Sequence, residues 1–234
     1  MLEIKGVYFS YGDHQVLKNV NAHIDQGEIV SFLGSNGAGK TSLIKTITGL
    51  NHPSAGTIRF HGNVISGTST HQIVDQGIIC VPEGRQLFPQ MTVRENLEMG
   101  AYSQRARNGL EERLEEVYRI YPVLLEKQNE QAKNLSGGQQ QMVAIGRGLM
   151  GDPTLLILDE PTFGLAPILV LNVFEIIKTI AERGMSILLV EQNARQSLEV
   201  SDRAYILENG AVSLEGTGSE LLENDHVRKS YLGL

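Results

Sequence analysis

The chain has 234 residues and the composition of a folded globular protein, long enough for one domain or two. Its 20 Lys and Arg against 27 Asp and Glu give a formal net charge of −7, which disfavours a broad basic surface for nucleic acid. The only cysteine, Cys80, excludes an intramolecular disulfide, and its apolar neighbours predict a buried thiol in a cytosolic protein. We expect no signal peptide and no membrane span, because no apolar stretch approaches about 20 residues. Any membrane association should be peripheral.

Alternating apolar and polar residues open the chain. The pattern over 2–9 and 16–24 has a period of two, which predicts antiparallel strands with one solvent-exposed face. Residues 29–33 form an apolar run that leads into a glycine loop, as expected of a central parallel strand, and a helix is predicted from Lys40 to about Gly49. Further strands are predicted at 78–81, 155–158, 186–190 and 204–207, with helical patterns between several of them, which together indicate an α/β protein.

The strand pattern disappears between about residues 87 and 150. Apolar side chains such as Leu110, Leu114 and Val117 recur there at three- and four-residue steps among glutamates, which predicts long helices with one packing face. Neither flank is a linker rich in Gly, Ser or Pro. We therefore predict one domain, 1–234, with a core formed by 1–86 and 151–234 and an inserted helical subdomain at 87–150.

The loop after the third predicted strand matches the phosphate-loop pattern and is followed by a predicted helix, as that motif requires. Its glycines let backbone N–H groups surround a β-phosphate, the lysine neutralises β- and γ-phosphate oxygens, and the threonine hydroxyl binds Mg²⁺. The sequence thus predicts a site for ATP with Mg²⁺. The residues of this loop are Gly34, Ser35, Asn36, Gly37, Ala38, Gly39, Lys40 and Thr41, with Ser42 next in the chain.

The apolar run at 155–158 ends in two carboxylates, Asp159 and Glu160. Parallel sheets open their ligand crevice at this end of the strands. We expect Asp159 to hold Mg²⁺ through water. Because one carboxylate cannot both bind a metal and act as a base, Glu160 is expected to point the other way and to orient or deprotonate the attacking water. The alternative is an acidic strand end that caps a turn before Pro161.

A second glycine motif, Leu135-Ser136-Gly137-Gly138-Gln139, precedes a helical stretch from Gln139 to Leu149. Two adjacent glycines leave backbone N–H groups uncovered, Ser136 adds a hydroxyl, and the positive end of the helix faces any anion that docks there. The motif predicts a second receptor for a γ-phosphate. A plain helix cap followed by a glycine turn is the alternative.

The order of these motifs resembles that of the ATP-binding subunits of ABC transporters over nearly the whole chain. The resemblance implies a P-loop NTPase fold, with a RecA-like core sheet, an antiparallel β subdomain and an inserted α-helical subdomain, and ATP hydrolysis coupled to transmembrane transport. It implies that Tyr11 stacks on adenine, although a core or surface tyrosine is the alternative. It also implies that Ser136, Gly137, Gly138 and Gln139 complete the ATP site of a facing subunit, so that one chain alone hydrolyses poorly.

Three positions depart from the general pattern of that family. Glu83 stands where a glutamine senses γ-phosphate and Mg²⁺; a carboxylate can still bind Mg²⁺, but it adds negative charge. Gln192 replaces the switch histidine that contacts the γ-phosphate, and a neutral amide cannot carry positive charge. Ala166 stands in place of an aspartate, which removes one contact expected across the dimer interface. In addition to these three, Phe163 is a mild departure, since small or aliphatic residues are usual there, and it leaves the dimer contact at that position open.

The segments that carry these departures are similar to those of F-type ATP-binding subunits from high-affinity importers of branched-chain amino acids. The resemblance implies a heterodimer with a second, G-type ATP-binding subunit, two integral membrane permeases and an extracytoplasmic substrate-binding protein. It places the chain at the cytoplasmic face of the inner membrane, with no role in binding nucleic acid. The alternatives are an importer of urea, another amide or another amino acid, and a soluble ABC-type ATPase acting on nucleic acid or protein assemblies.

Overall fold

Ten β-strands lie within residues 1–233, which are the residues described by our computed structural model. They are β1 (Leu2–Tyr11), β2 (His14–Ile24), β3 (Ile29–Leu33), β4 (Ala55–Phe60), β5 (Asn63–Val64), β6 (Ile78–Val81), β7 (Leu155–Asp159), β8 (Ser186–Glu191), β9 (Arg203–Glu208) and β10 (Ala211–Thr217). All of the strands predicted from the sequence are present, several of them one or two residues longer than predicted.

Eleven α-helices accompany these strands within the same residues. They are α1 (Lys40–Ile47), α2 (Thr70–Asp75), α3 (Val93–Glu98), α4 (Gln104–Arg107), α5 (Leu110–Ile120), α6 (Pro122–Glu126), α7 (Gly137–Met150), α8 (Pro167–Ala181), α9 (Ala194–Val200), α10 (Gly218–Glu223) and α11 (Asp225–Val227). Short 3₁₀ turns lie at Met99–Ala101 and Ala132–Asn134, and a π-helical turn at Arg228–Leu232 follows α11. Among residues 1–233, no helix combines the length and the apolar character needed to cross a membrane.

The strands form two sheets. The first is antiparallel, with the strand order β2-β1-β4-β5. The second has the order β10-β9-β3-β8-β7-β6, in which β10 runs antiparallel to β9 and the other neighbours are parallel. Every residue of β3, β7 and β8 is buried, as the continuous apolar runs predict for strands covered on both faces.

The register of the parallel strands brings four chain segments to one edge of the second sheet. Leu33 at the end of β3 pairs with Glu191 of β8, Asp159 of β7 pairs with Val190, and Val81 of β6 pairs with Leu158. The segments that follow β3, β6, β7 and β8 therefore leave the sheet side by side. This is the carboxyl-end crevice at which open α/β sheets bind ligands.

Helices α3 to α7 all lie between β6 and β7 in the chain, so the segment 87–150 is rich in helix, as predicted, but most of its helices are short, and a break at Tyr121 separates α5 from α6. Their apolar faces join β7 and β8 in one hydrophobic cluster, where Leu114 and Val117 of α5 are buried together with Leu156. This packing explains the apolar stripe at three- and four-residue steps. The boundaries of a separate helical subdomain at 87 and 150 stay a prediction.

The prediction of a buried Cys80 is only partly right. The residue lies on β6 but is only half-buried, because its side chain borders an open cleft beside Asp159. Burial and the nearby Asp159 carboxylate raise the pKa of the thiol to about 12. The group is therefore a neutral thiol at physiological pH, without the thiolate character of reactive cysteines.

Gly210, in the turn between β9 and β10, connects both sheets to the phosphate loop. Its carbonyl accepts a hydrogen bond from the Lys18 N–H of β2 at 2.7 Å, and its N–H donates to the Ala38 carbonyl at 3.0 Å. The backbone of Gly210 is left-handed, with φ of 84°. A Cβ added there would overlap the Val16 carbonyl. Only glycine allows this approach without a backbone shift.

We expect Gly210→Ala to lower the free energy of unfolding by more than about 2 kcal/mol, because the left-handed backbone and the overlap with Val16 both oppose a side chain. Gly184→Ala is the matched control: its φ is 87°, but a Cβ added there meets no atom of residues 1–233 within 4 Å. The control should lose about 1 kcal/mol. Urea unfolding of both variants measures the difference. Equal losses would contradict this account of Gly210.

Candidate nucleotide site

The phosphate loop spans the gap between the end of β3 at Leu33 and the start of α1 at Lys40. Gly37 and Gly39 adopt left-handed backbone conformations, with φ of 81° and 110°. No side chain of residues 1–233 caps the N-terminus of α1. The first N–H groups of a helix have no intrahelical partner, so together with the curled loop they form a receptor for an anionic phosphate.

Lys40 is held at the mouth of this loop. Its side chain is only 6% exposed, and its Nζ donates to the carbonyls of Gly34 at 2.7 Å and Ser35 at 3.3 Å. The same Nζ lies 3.4 Å from Oε1 of Glu160. A buried ammonium requires such partners. The structure therefore brings together Lys40 and Glu160, which lie 120 residues apart in the chain and were predicted to act on the phosphate oxygens and on the attacking water, respectively.

A cleft of about 510 Å³ opens beside the loop. Sequence analysis missed two of its lining residues, His14 and Val16, which belong to no motif. The signal that could have found them is the hairpin, because Tyr11 of β1 pairs directly with His14 of β2. The residues of the cleft that were predicted as site residues are Ser35, Asn36, Gly37, Gly39, Lys40, Thr41, Ser42, Glu83, Glu160 and Gln192; Phe163 also lines it.

Asp159 has the environment of a metal ligand. Its side chain is buried, and its Oδ1 has no hydrogen-bond partner among residues 1–233. Burial, followed by the charges of Glu160 and Glu83, raises the pKa of the carboxyl to about 6, although Lys40 and Lys45 oppose the shift. Thr41 borders both the cleft beside Glu83 and the cleft beside Asp159. An unpartnered carboxylate oxygen near a hydroxyl is the donor set that Mg²⁺ prefers, so these residues fit the ion.

Glu160 has a strained backbone and a fixed side chain. Its φ is 49°, in the left-handed region that costs a residue with a Cβ about 1 kcal/mol or more. The N–H of Glu160 donates to the Val190 carbonyl at 2.8 Å. Strain of this kind concentrates at functional sites. Glu160 lines the cleft beside the phosphate loop, whereas Asp159 borders the neighbouring cleft; their roles as base and metal ligand stay predictions.

Gln192 contacts Glu160 directly. The Nε2 of Gln192 donates to Oε1 of Glu160 at 3.0 Å and to Oε2 at 2.9 Å. The carboxylate of Glu160 is thus held between an amide and the Lys40 ammonium, and 9% of its side chain is exposed. The prediction of a γ-phosphate contact at Gln192 did not include this bond. Residue 192 sets the environment of the expected base in addition to lining the cleft.

Glu83 belongs to a loop that is tied to α7. The next residues, Arg85 and Gln86, both have left-handed backbones, with φ of 65° and 44°. Their carbonyls accept two hydrogen bonds from the Arg147 guanidinium of α7, each at 2.9 Å. The Arg85 side chain in turn donates to Oε1 of Gln140 on α7 at 3.1 Å. These bonds connect the Glu83 loop to the helix that begins with the second glycine motif.

That glycine motif begins α7 outside the cleft of the phosphate loop. Ser136 is the N-cap, and a capping box forms in which its Oγ accepts from the Gln139 N–H while Gln139 Oε1 accepts from the Ser136 N–H. Gly138 lies against Leu169 of α8, where a Cβ would be in close contact. The helix starts at Gly137, two residues earlier than predicted. The capping role is therefore present, and the role toward a facing subunit stays a prediction.

Tyr11 lies at the border of the site. Its side chain is 49% exposed and packs edge-to-face on Phe9, with 4.7 Å between ring centroids. The hydroxyl accepts a hydrogen bond from Asn51 Nδ2 at 3.0 Å, and hydrogen bonds from Asn51 and Ser42 lower its pKa. The ring is half-exposed but does not line the cleft beside the phosphate loop. Adenine stacking by Tyr11 stays a prediction, and the surface position matches the alternative as well.

Comparison with known proteins places this chain among ABC transporters. The profile of the family described as "ABC transporter" matches residues 17–163, which is more than half of the chain. The chain belongs to this family. It is 43% identical over 233 residues, and over the whole of both chains, to the high-affinity branched-chain amino acid transport ATP-binding protein BraG of Pseudomonas aeruginosa. It is 34% identical over 235 residues to a probable branched-chain amino acid transport ATP-binding protein LivF of Archaeoglobus fulgidus, covering 100% and 99% of the two chains.

A solved structure gives the same fold. An ATP-binding cassette of an ABC transporter in its ADP conformation superposes with a TM-score of 0.86 at 28% identity, covering 100% of this chain and 99% of the other. The predicted P-loop cassette, with its antiparallel and parallel sheets, is thereby confirmed. The chain is an ATP-binding subunit of the ABC transporter family and hydrolyses ATP.

We expect Glu160→Gln to keep ATP affinity within about twofold and to lower hydrolysis at this chain's phosphate loop by about 10² to 10⁴-fold, because a neutral amide cannot take a proton from water. Equilibrium binding of ATP and phosphate release measure the two quantities. Glu199→Gln is the control, since Glu199 forms an exposed pair with Arg195 on α9 and lines no part of the cleft. Wild-type turnover in Glu160→Gln would show that Glu160 is not the base.

Proposed function

We propose that this chain energises the import of branched-chain amino acids as one ATP-binding subunit of an ABC transporter. The observation that carries the substrate class is the 43% identity, over the full length of both chains, to a protein named for high-affinity branched-chain amino acid transport. The departures at Glu83, Ala166 and Gln192 support the same class, because together they are similar to F-type subunits. The chain itself would not touch the amino acid.

The chemistry rests on the geometry of the cleft. Lys40, held by the loop carbonyls, neutralises the β- and γ-phosphate oxygens of ATP. Glu160, fixed by Lys40 and Gln192, orients or deprotonates the attacking water. Thr41, Asp159 and Glu83 would hold Mg²⁺, which when bound offsets the charge that develops on the phosphate oxygens.

The position of the second glycine motif supports a facing subunit. Ser136 to Gln139 lie outside the lining of the phosphate-loop cleft of their own chain. They are therefore available to complete the ATP site of a facing, G-type ATP-binding subunit, so that two composite sites form in a heterodimer. ATP closes this dimer, and hydrolysis reopens it while two permeases alternate access. An extracytoplasmic binding protein delivers the substrate, and the chain sits peripherally at the cytoplasmic face of the inner membrane.

The test is affinity purification of the tagged chain from its native membranes in mild detergent. The chain carries Glu160→Gln so that the ATP-bound assembly accumulates, and the co-purifying proteins are identified by mass spectrometry. We expect a second, different ATP-binding subunit and two integral membrane proteins, and uptake assays on that complex then identify the substrate. Recovery from the soluble fraction alone would contradict the transporter and favour a soluble ABC-type ATPase. Uptake of urea or another amide would contradict the substrate class.

In the assembled complex, we expect ATP on this chain's phosphate loop to be hydrolysed more slowly than ATP on the partner's. The reason is that the neutral amide of Gln192 stabilises transition-state charge less than an imidazolium would. Gln192→His should therefore raise turnover at this site by a few-fold, measured as phosphate release per complex. Gln192→Ala is the control and should lower turnover, because Glu160 loses the donor at 2.9 and 3.0 Å. Unchanged turnover in Gln192→His would contradict the assignment.

A further inference from the structure

One buried carboxylate near the site has no part in the chemistry proposed above. Glu191 is the last residue of β8, only 2% of its side chain is exposed, and it lines neither cleft that borders the phosphate loop. An isolated buried charge is costly unless it is paired or fully hydrogen-bonded. Among residues 1–233, the groups that donate to Glu191 are backbone N–H groups and one hydroxyl. The carboxylate is retained in the interior by those bonds.

The two oxygens of Glu191 bind two different chain segments. Oε1 accepts from the N–H of Thr162 at 2.9 Å and from its hydroxyl at 2.6 Å. Oε2 accepts from the N–H groups of Gln192 at 3.1 Å and Asn193 at 3.4 Å. All four contacts bring donors to the side chain, which an ionised carboxylate can satisfy because it is an acceptor only. Glu191 thereby fastens the segment after β7 to the segment after β8.

These segments carry the two side chains that meet in the cleft. Glu160 lies two residues before Thr162, and Gln192 follows Glu191 directly. The backbone of Glu160 is also bound to the strand that ends in Glu191, through the carbonyl of Val190. Hydrogen bonds to Glu191 therefore hold both chain segments whose side chains form the contact between Gln192 Nε2 and the Glu160 carboxylate. A displacement of about 1 Å in a reacting group can cost about 10²-fold in rate.

We infer that Glu191 is a positioning residue for ATP hydrolysis, whose carboxylate sets the distance between the side chains of Glu160 and Gln192. The inference rests on the proposed role of Glu160 in orienting or deprotonating water. Glutamine at position 191 cannot replace the carboxylate, because its NH₂ group would face N–H donors on one of the two sides. Aspartate keeps the charge but is one methylene shorter, so it cannot reach both segments.

The test compares Glu191→Gln and Glu191→Asp with a partly buried carboxylate at the other end of the sheet. Glu28 precedes β3, is 11% exposed on its side chain, and accepts from the Asp25 N–H and from Arg203 at 3.0 Å. Glu28→Gln neutralises a partly buried, hydrogen-bonded carboxylate that lines neither cleft. Each full-length variant is assayed for unfolding in urea, ATP affinity and amide hydrogen exchange, and its single-turnover hydrolysis is measured in the complex recovered by affinity purification.

We expect Glu191→Gln to lower the hydrolysis rate by about ten- to a hundredfold while ATP affinity stays within about twofold. Amide exchange at Thr162, or at Gln192 and Asn193, should become faster. Glu28→Gln should lose stability but keep its hydrolysis rate within about twofold. If Glu191→Gln instead behaves like Glu28→Gln, with lower stability and an unchanged rate, Glu191 is only structural and the inference is wrong.

A double-mutant cycle with Gln192→Ala tests whether Glu191 acts through its neighbour. If it does, the rate loss of the double variant is smaller than the product of the single losses. Multiplicative losses would overturn the inference. Glu160→Gln in the same assay separates the two proposals. Wild-type hydrolysis in Glu160→Gln would overturn the role of Glu160 and the inference with it, whereas an inactive Glu160→Gln beside a fully active Glu191→Gln would overturn the inference alone.

Discussion

The burial of negative charge at one edge of a parallel sheet is the constraint on which this structure depends. Asp159, Glu160 and Glu191 are all buried at the ends of neighbouring strands. Because they are removed from water, the negative charge of each must be offset by a cation, by hydrogen-bond donors or by a metal ion. Glu160 forms an ion pair with Lys40 and accepts hydrogen bonds from Gln192, and Glu191 accepts four hydrogen bonds. Asp159 has an oxygen with no partner among residues 1–233. The unequal compensation separates their roles: the two that are satisfied are fixed in place, and the third fits a metal.

The fold could be predicted because its signals are local. Continuous apolar runs identified the buried strands, a period of two identified the antiparallel ribbon, and the glycine spacing at 34–39 identified the phosphate loop before any tertiary information. The different roles of Asp159 and Glu160 were inferred from the chemistry of an acidic strand end and stay predictions. Each of these features is specified by the residues of one short stretch of the chain.

What could not be predicted depends on contacts between distant segments. The bond from Gln192 to Glu160 and the four bonds to Glu191 exist only because β7 and β8 are neighbours in register, which no local pattern specifies. The hydrogen bonds from Arg147 to the loop that contains Glu83 join residues more than 60 positions apart. Nothing in the helical pattern of α7 distinguishes that arginine. His14 is near the cleft only because a hairpin folds β2 onto β1.

The left-handed backbone of Glu160 also affects how the protein can evolve. Any residue with a Cβ at this position stores about 1 kcal/mol or more of strain, whereas glycine would release it. Glycine would also leave the buried Lys40 ammonium and the Gln192 amide without their carboxylate partner, so the backbone strain and the side-chain contacts of Glu160 oppose each other. A change that removes either partner of Glu160 would therefore leave the strain without its compensation, which makes this turn sensitive to substitutions at positions 40 and 192 as well.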